Sequence, residues 1–74
     1  MELRHLRCFI AVAHELHFAR AVERLHIKQS PLSRAIKELE RDLSAKLFEP
    51  TTRSTRLTWV GHVFLNPFGN ALLA

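Results

Sequence analysis

The chain has 74 residues, 47% of them hydrophobic, with a formal net charge of +4 and a pI near 10.2. A length like this holds one domain with a thin core, burying roughly 60% of its unfolded surface. It leaves too few residues to build and support a catalytic cleft, so an enzyme is disfavoured. The apolar share is too high for a disordered tail, and the basic balance points to a polyanionic partner, nucleic acid or a membrane surface.

The distribution of charge narrows this. Between His17 and Lys37 the charged residues are Arg20, Glu23, Arg24, Lys28, Arg34 and Lys37, five basic against one acidic. From Pro50 onward only Arg53 and Arg56 are charged. The single cysteine, Cys8, cannot form an internal disulfide, and it sits in an apolar run where core packing is expected. That run, Cys8 to Ala13, is shorter than the roughly 7–15 residues of a signal core, and nothing approaches the roughly 20 apolar residues of a membrane span. The chain is therefore expected in the cytoplasm, with no membrane partner.

In chain order, Leu3, Leu6, Phe9, Ile10 and Ala13 recur at spacings of three and four, which predicts a first helix from Glu2 to about Leu16. A second, shorter helix is expected from about Ala19 to Leu25, with Ala21, Val22 and Leu25 facing inward, followed by the turn His26-Ile27-Lys28. In the third, about 29–43, Leu32, Ile36, Leu39 and Leu43 fall within a sector of roughly 60°. Ser30, Ser33, Arg34, Lys37 and Arg41 lie opposite. Ser30-Pro31 resembles a helix start, Ser as N-cap and Pro at the first helical position.

Lys46-Leu47-Phe48-Glu49 and Thr55-Arg56-Leu57-Thr58 are two candidate strands of a small hairpin, the first limited by Pro50, which cannot donate to a ladder. Thr58 is placed to cap a last helix beginning at Trp59. This segment is rich in apolar side chains, and Pro67 with Gly69 is expected to interrupt or end it near Asn66.

Two short helices joined by a tight turn, the second presenting donors and positive charge from its N-terminal half, form a helix-turn-helix. One helix fits the major groove of DNA, where base edges are distinguishable. Gln29 is suited to adenine, Arg34 to guanine or phosphate, and Ser30 and Ser33 to phosphate or base edges. Lys28 and Lys37 are better placed for phosphates, which set affinity and position. Arg53 and Arg56 would grip the minor groove or the backbone, as a wing does.

The same residues carry a resemblance. Leu6-Arg7-Cys8-Phe9, the stretch His17 to Ile27, Gln29-Ser30-Pro31-Leu32-Ser33-Arg34-Ala35-Ile36-Lys37-Glu38-Leu39-Glu40, and then Leu47-Phe48-Glu49, Arg53, Arg56-Leu57-Thr58 and Gly61 are similar, in order and spacing, to the N-terminal domain of LysR-type transcriptional regulators. The resemblance implies a mainly α fold: a winged helix-turn-helix with a three-helix core, a small two-stranded wing and the start of a linker helix. By position it places DNA contacts on Gln29, Ser30, Pro31, Ser33, Arg34 and Arg53.

The resemblance also implies a DNA-binding domain over 1–58 and a linker or dimerisation helix over 59–74. A homodimer would form through Trp59, Val63, Phe64 and Phe68. Lys28 stands where the family has a small hydroxyl residue, Ser44 where a glycine ends the recognition helix, and Pro50 and Thr52 at wing positions that are often arginine. Family members carry a further effector domain of roughly 200 residues, so no small-molecule effector site is expected in these 74.

His14-Glu15-Leu16-His17 has its histidines three apart rather than four, so no metal and no cofactor is expected. The competing reading is a truncated interaction module that dimerises through 59–73 without effector control.

Overall fold

The computed structural model describes residues 2–51 and 54–73, with side chains followed as far as Pro67. Four helices and a hairpin follow in order: α1 (Leu3–Glu15), α2 (Phe18–Leu25), α3 (Gln29–Leu43), β1 (Phe48–Pro50), β2 (Thr55–Leu57) and α4 (Trp59–Leu73). The helix-turn-helix is α2 and α3; the hairpin is the wing. The architecture is a winged helix-turn-helix.

The core is set by α1, which packs against α2, α3 and α4. Phe9, Val12, Leu32, Leu39 and Leu47 are its largest fully buried side chains. The Phe9 ring lies 5.4 Å from Phe48 and 5.2 Å from Phe64, so one residue of α1 gathers the hairpin and the last helix. The α3 stripe Leu32, Ile36 and Leu39 is buried as its spacing predicts, and Leu43 packs at the margin. In α2, Ala21 is buried and Val22 and Leu25 lie against the core.

On α1 the buried face is rotated from the expected one. Leu3 is 73% exposed, whereas His5, Cys8, Val12 and Ala11 are buried. The cause is that α1 is covered on two sides, by α2 and α3, so its buried arc is wider than one stripe of Leu and Phe.

α3 spans the expected 29–43, but its cap is not Ser30. Lys28 is the N-cap, extended with ψ 163° and without a side-chain cap bond, so the helix begins before Ser30. Pro31 therefore sits within the first turn, where its missing N–H has no helical partner in any case.

All three core helices end on a left-handed residue that is not glycine: Leu16, His26 and Ser44. After α2 and α3 the ends are closed by paired backbone bonds, Ile27 N–H to Val22 O at 3.2 Å and Ala45 N–H to Glu40 O at 3.1 Å. These turns fix the angle at which α3 leaves α2.

The hairpin is antiparallel, with Phe48 opposite Leu57, Glu49 opposite Arg56 and Pro50 opposite Thr55. Its strands are shorter than the sequence implies. Leu47 precedes β1, its N–H donating to Glu40 on α3 and its carbonyl accepting from Thr58. Pro50 ends the strand, and the tip is closed by Thr51, which bonds Ser54 through both backbone and hydroxyl.

Thr58 caps α4 as expected: its hydroxyl accepts the Gly61 N–H at 3.0 Å and donates to the Lys46 carbonyl at 2.6 Å. Gly61 is required here, because a Cβ would run into the Leu47 carbonyl oxygen and lie 2.8 Å from Leu57 Cδ2. The helix continues past Asn66 with Pro67 inside it, where an interruption is expected from sequence. Proline at this place removes the donor to the Val63 carbonyl, and Val63 is exposed, so water can reach the carbonyl left over.

Candidate nucleic-acid interface

The exposed side of α3 is built as its period dictates. Gln29, Ser30, Ser33, Arg34, Lys37, Glu38 and Arg41 line one shallow groove along the helix. Gln29, Ser30, Pro31, Arg34 and Lys37 are exposed and Ser33 is half-buried, so the expected residues are brought together on one surface. Lys28 stands exposed at its head. The first turn of α3 carries no acidic side chain, so nothing neutralises the positive end of its dipole.

What distinguishes this surface from an ordinary solvated face is how its charges are paired. Two of the three carboxylates of α3 make contacts with other elements, although Glu38 still lines the groove. Glu38 lies 2.8 Å from His5 Nε2 and 4.0 Å from Arg4, and Glu40 accepts the backbone N–H groups of Leu47 and Phe48. Lys28, Arg34, Lys37 and Arg41 have no ion-pair partner among the described residues. Elsewhere the basic side chains are more often matched: Arg24 with Glu15 at 3.4 Å, Arg4 with Glu2 at 2.8 Å and Arg56 with Glu49 at 3.0 Å. Unpaired donors on α3 are ready for an external anion.

Arg56, expected to grip the minor groove or the backbone, bonds Glu49 across the hairpin at 3.0 Å. Arg53 lies outside the described residues. His14 Nδ1 stands 3.3 Å from Arg24. Among the described residues no group of three or more His, Cys, Asp and Glu is arranged to hold a metal ion, and no helix is long and apolar enough to cross a membrane.

Of the tail residues, Trp59 is 78% and Val63 52% exposed, one turn apart on α4. Phe64 is turned the other way, edge-on to Phe9. The four expected contact residues therefore do not form one strip: Phe64 belongs to the fold, and the side chain of Phe68 lies outside the described residues.

Sequence reasoning missed His5, Glu38 and Glu40. His5 had a signal, standing four residues before Phe9 on a buried face; its Nδ1 accepts the Glu2 N–H, which leaves Nε2 to carry the proton facing Glu38. The contact is close but poorly directed as a hydrogen bond. Glu40 had none, because its partners are backbone amides seven and eight residues on.

Residues 3–62 match the profile of the bacterial regulatory helix-turn-helix proteins of the lysR family. The chain belongs to that family. This LysR-family domain is 51% identical over 73 residues to the HTH-type transcriptional regulator AlsR of Bacillus subtilis (strain 168), covering 99% of this chain and 24% of that protein.

Among solved structures, the domain superposes on the CbnR DNA-binding domain in its complex with DNA with a TM-score of 0.88 and 43% identity, over 97% of this chain and 83% of that one. The BenM DNA-binding domain bound to catB site 1 DNA gives 0.89 and 44%, over 97% and 81%. The LysR-family domain spans about a quarter of the length of the curated relatives it matches.

Proposed function

We propose that this chain binds double-stranded DNA in a sequence-selective way and serves as the reading domain of a bacterial transcription regulator in the cytoplasm. The observation that carries the reading is the row of unpaired donors and cations on the first three turns of α3, with Glu38 and Glu40 in contact with other elements. The DNA complexes of the CbnR and BenM domains, at 43% and 44% identity, support it.

In this reading α3 enters the major groove N-terminus first. Gln29 pairs with adenine through its amide and Arg34 with guanine or a phosphate. Ser30, Pro31 and Ser33 lie close to base edges and backbone, while Lys28 and Lys37 hold phosphates. The wing, with Arg56 on β2, lies along the minor groove or the backbone, and Arg53, between the two strands in sequence, is proposed to join it there.

A titration of duplex DNA across salt concentrations tests this. Each neutralised phosphate should contribute about −0.9 to the slope of log K against log salt, so a slope of several units is expected. Affinity that ignores salt would refute it.

A second reading is favoured by Trp59 and Val63, whose exposure on α4 leaves an apolar strip open to water. We infer self-association through that strip. It is compatible with DNA binding, since two copies would present two α3 helices to two half-sites.

A further inference from the structure

A cleft lies between α1 and the N-terminal half of α3, adjoining the groove surface and sharing Arg34 and Glu38 with it. Its floor is apolar, made by Cys8, Leu25 and Ala35, with Pro31 at the side. Its polar lining is Arg4, His5, Arg7, Arg34 and Glu38. The one carboxylate present, Glu38, lies 2.8 Å from His5 Nε2 and 4.0 Å from Arg4. Arg7 and Arg34 have no ion-pair partner among the described residues. The cleft therefore presents two uncommitted guanidinium groups beside an apolar floor. Burial raises the Cys8 thiol pKa, and the positive charges of Arg7 and Arg4 oppose it in part. His5, only 5% exposed, adds a buried Nε2 with no well-directed hydrogen bond.

We propose that this cleft is a phosphate site: Arg7 on α1 takes a backbone phosphodiester of the duplex that flanks the groove holding α3, and Arg34 is shared between that phosphate and the groove. The proposal rests on the DNA reading given above and extends the interface from α3 to α1. Guanidinium suits the task, because its planar fork donates two parallel hydrogen bonds to phosphate oxygens. A contact of this kind positions the domain and adds affinity without selecting sequence.

The test is a salt-dependent titration of the 74-residue chain, its Arg7→Ala and its Arg7→Gln variants, each against two duplexes of unrelated sequence. Arg7 is exposed, so both variants should keep the thermal melt of the parent. Both should bind about tenfold more weakly on both duplexes, with a salt slope shallower by about 0.9. Arg7→Ala equal to the parent in affinity and slope overturns the cleft as a phosphate site while leaving α3 as the reader. Loss on one duplex alone, or full recovery in Arg7→Gln, overturns it too, since a phosphate contact is blind to sequence and needs charge. If the parent itself shows no salt-dependent binding, the DNA reading falls and the cleft assignment with it.

Discussion

The carboxylate of Glu40, on α3, accepts the backbone N–H of Leu47 at 2.7 Å and so ties the exposed helix to the approach of the wing. The same oxygen lies 3.4 Å from the Phe48 N–H. Leu47 is fully buried, so its amide has no ready substitute in water. Glu40→Ala should lower stability by about 1–3 kcal/mol, and amide exchange at Leu47 and Phe48 should quicken more than exchange in α1. Glu40→Gln, which keeps an acceptor, should lose less. Equal exchange in all three proteins would show that the wing is held by packing alone.

Ser44 closes α3 at φ 54°, a conformation that costs a residue with a Cβ about 1 kcal/mol and glycine almost nothing. Ser44→Gly should therefore raise the midpoint of chemical denaturation, by about 1 kcal/mol at most, with the slope unchanged. A lower midpoint would mean that the Ser44 side chain contributes something the geometry does not reveal.

Cys8 is buried, and burial pushes its thiol pKa above the ordinary 9.0, with Arg7 and Arg4 opposing in part. Alkylation near neutral pH should be much slower than for a free thiol and should accelerate in denaturant. The sign for stability follows. A raised folded-state pKa means that the native chain holds the proton longer, so stability is constant below the thiol's unfolded pKa and declines as pH rises past it. Rapid native-state alkylation would contradict this.

Trp59 and Phe64 sit on the same helix in opposite circumstances. Phe64→Ala removes a ring that packs on Phe9 and should cost about 2 kcal/mol, less than a fully buried phenylalanine. Trp59→Ala removes an exposed ring and should change stability by less than about 0.5 kcal/mol. If α4 mediates association, sedimentation should show Trp59→Ala shifted toward monomer at unchanged stability. Identical sedimentation would place association elsewhere.

These contrasts mark what was legible in the sequence. The stripe Leu32, Ile36 and Leu39 and its opposite row were readable because a helix repeats every 3.6 residues, and the Thr58 cap because its chemistry is local. The bounds of α3 were legible but its cap was not, because proline suits any position in the first turn and Pro31 did not fix the N-cap at Ser30. The wider buried arc of α1, with Leu3 out and His5 in, depends on two neighbouring helices that no local pattern encodes. Charge was the least legible property: composition counts Arg56 and Arg34 alike, yet Glu49 holds one and nothing described holds the other.

On the proposed function, the uncommitted face of α3 is what meets DNA. An NMR titration of isotope-labelled protein with duplex DNA tests it residue by residue. The largest shift changes and broadening should fall on Lys28, Gln29, Ser30, Ser33, Arg34 and Lys37, with Arg7 following and Trp59 and Val63 little affected. Changes centred on α4 with those α3 residues silent would contradict the account.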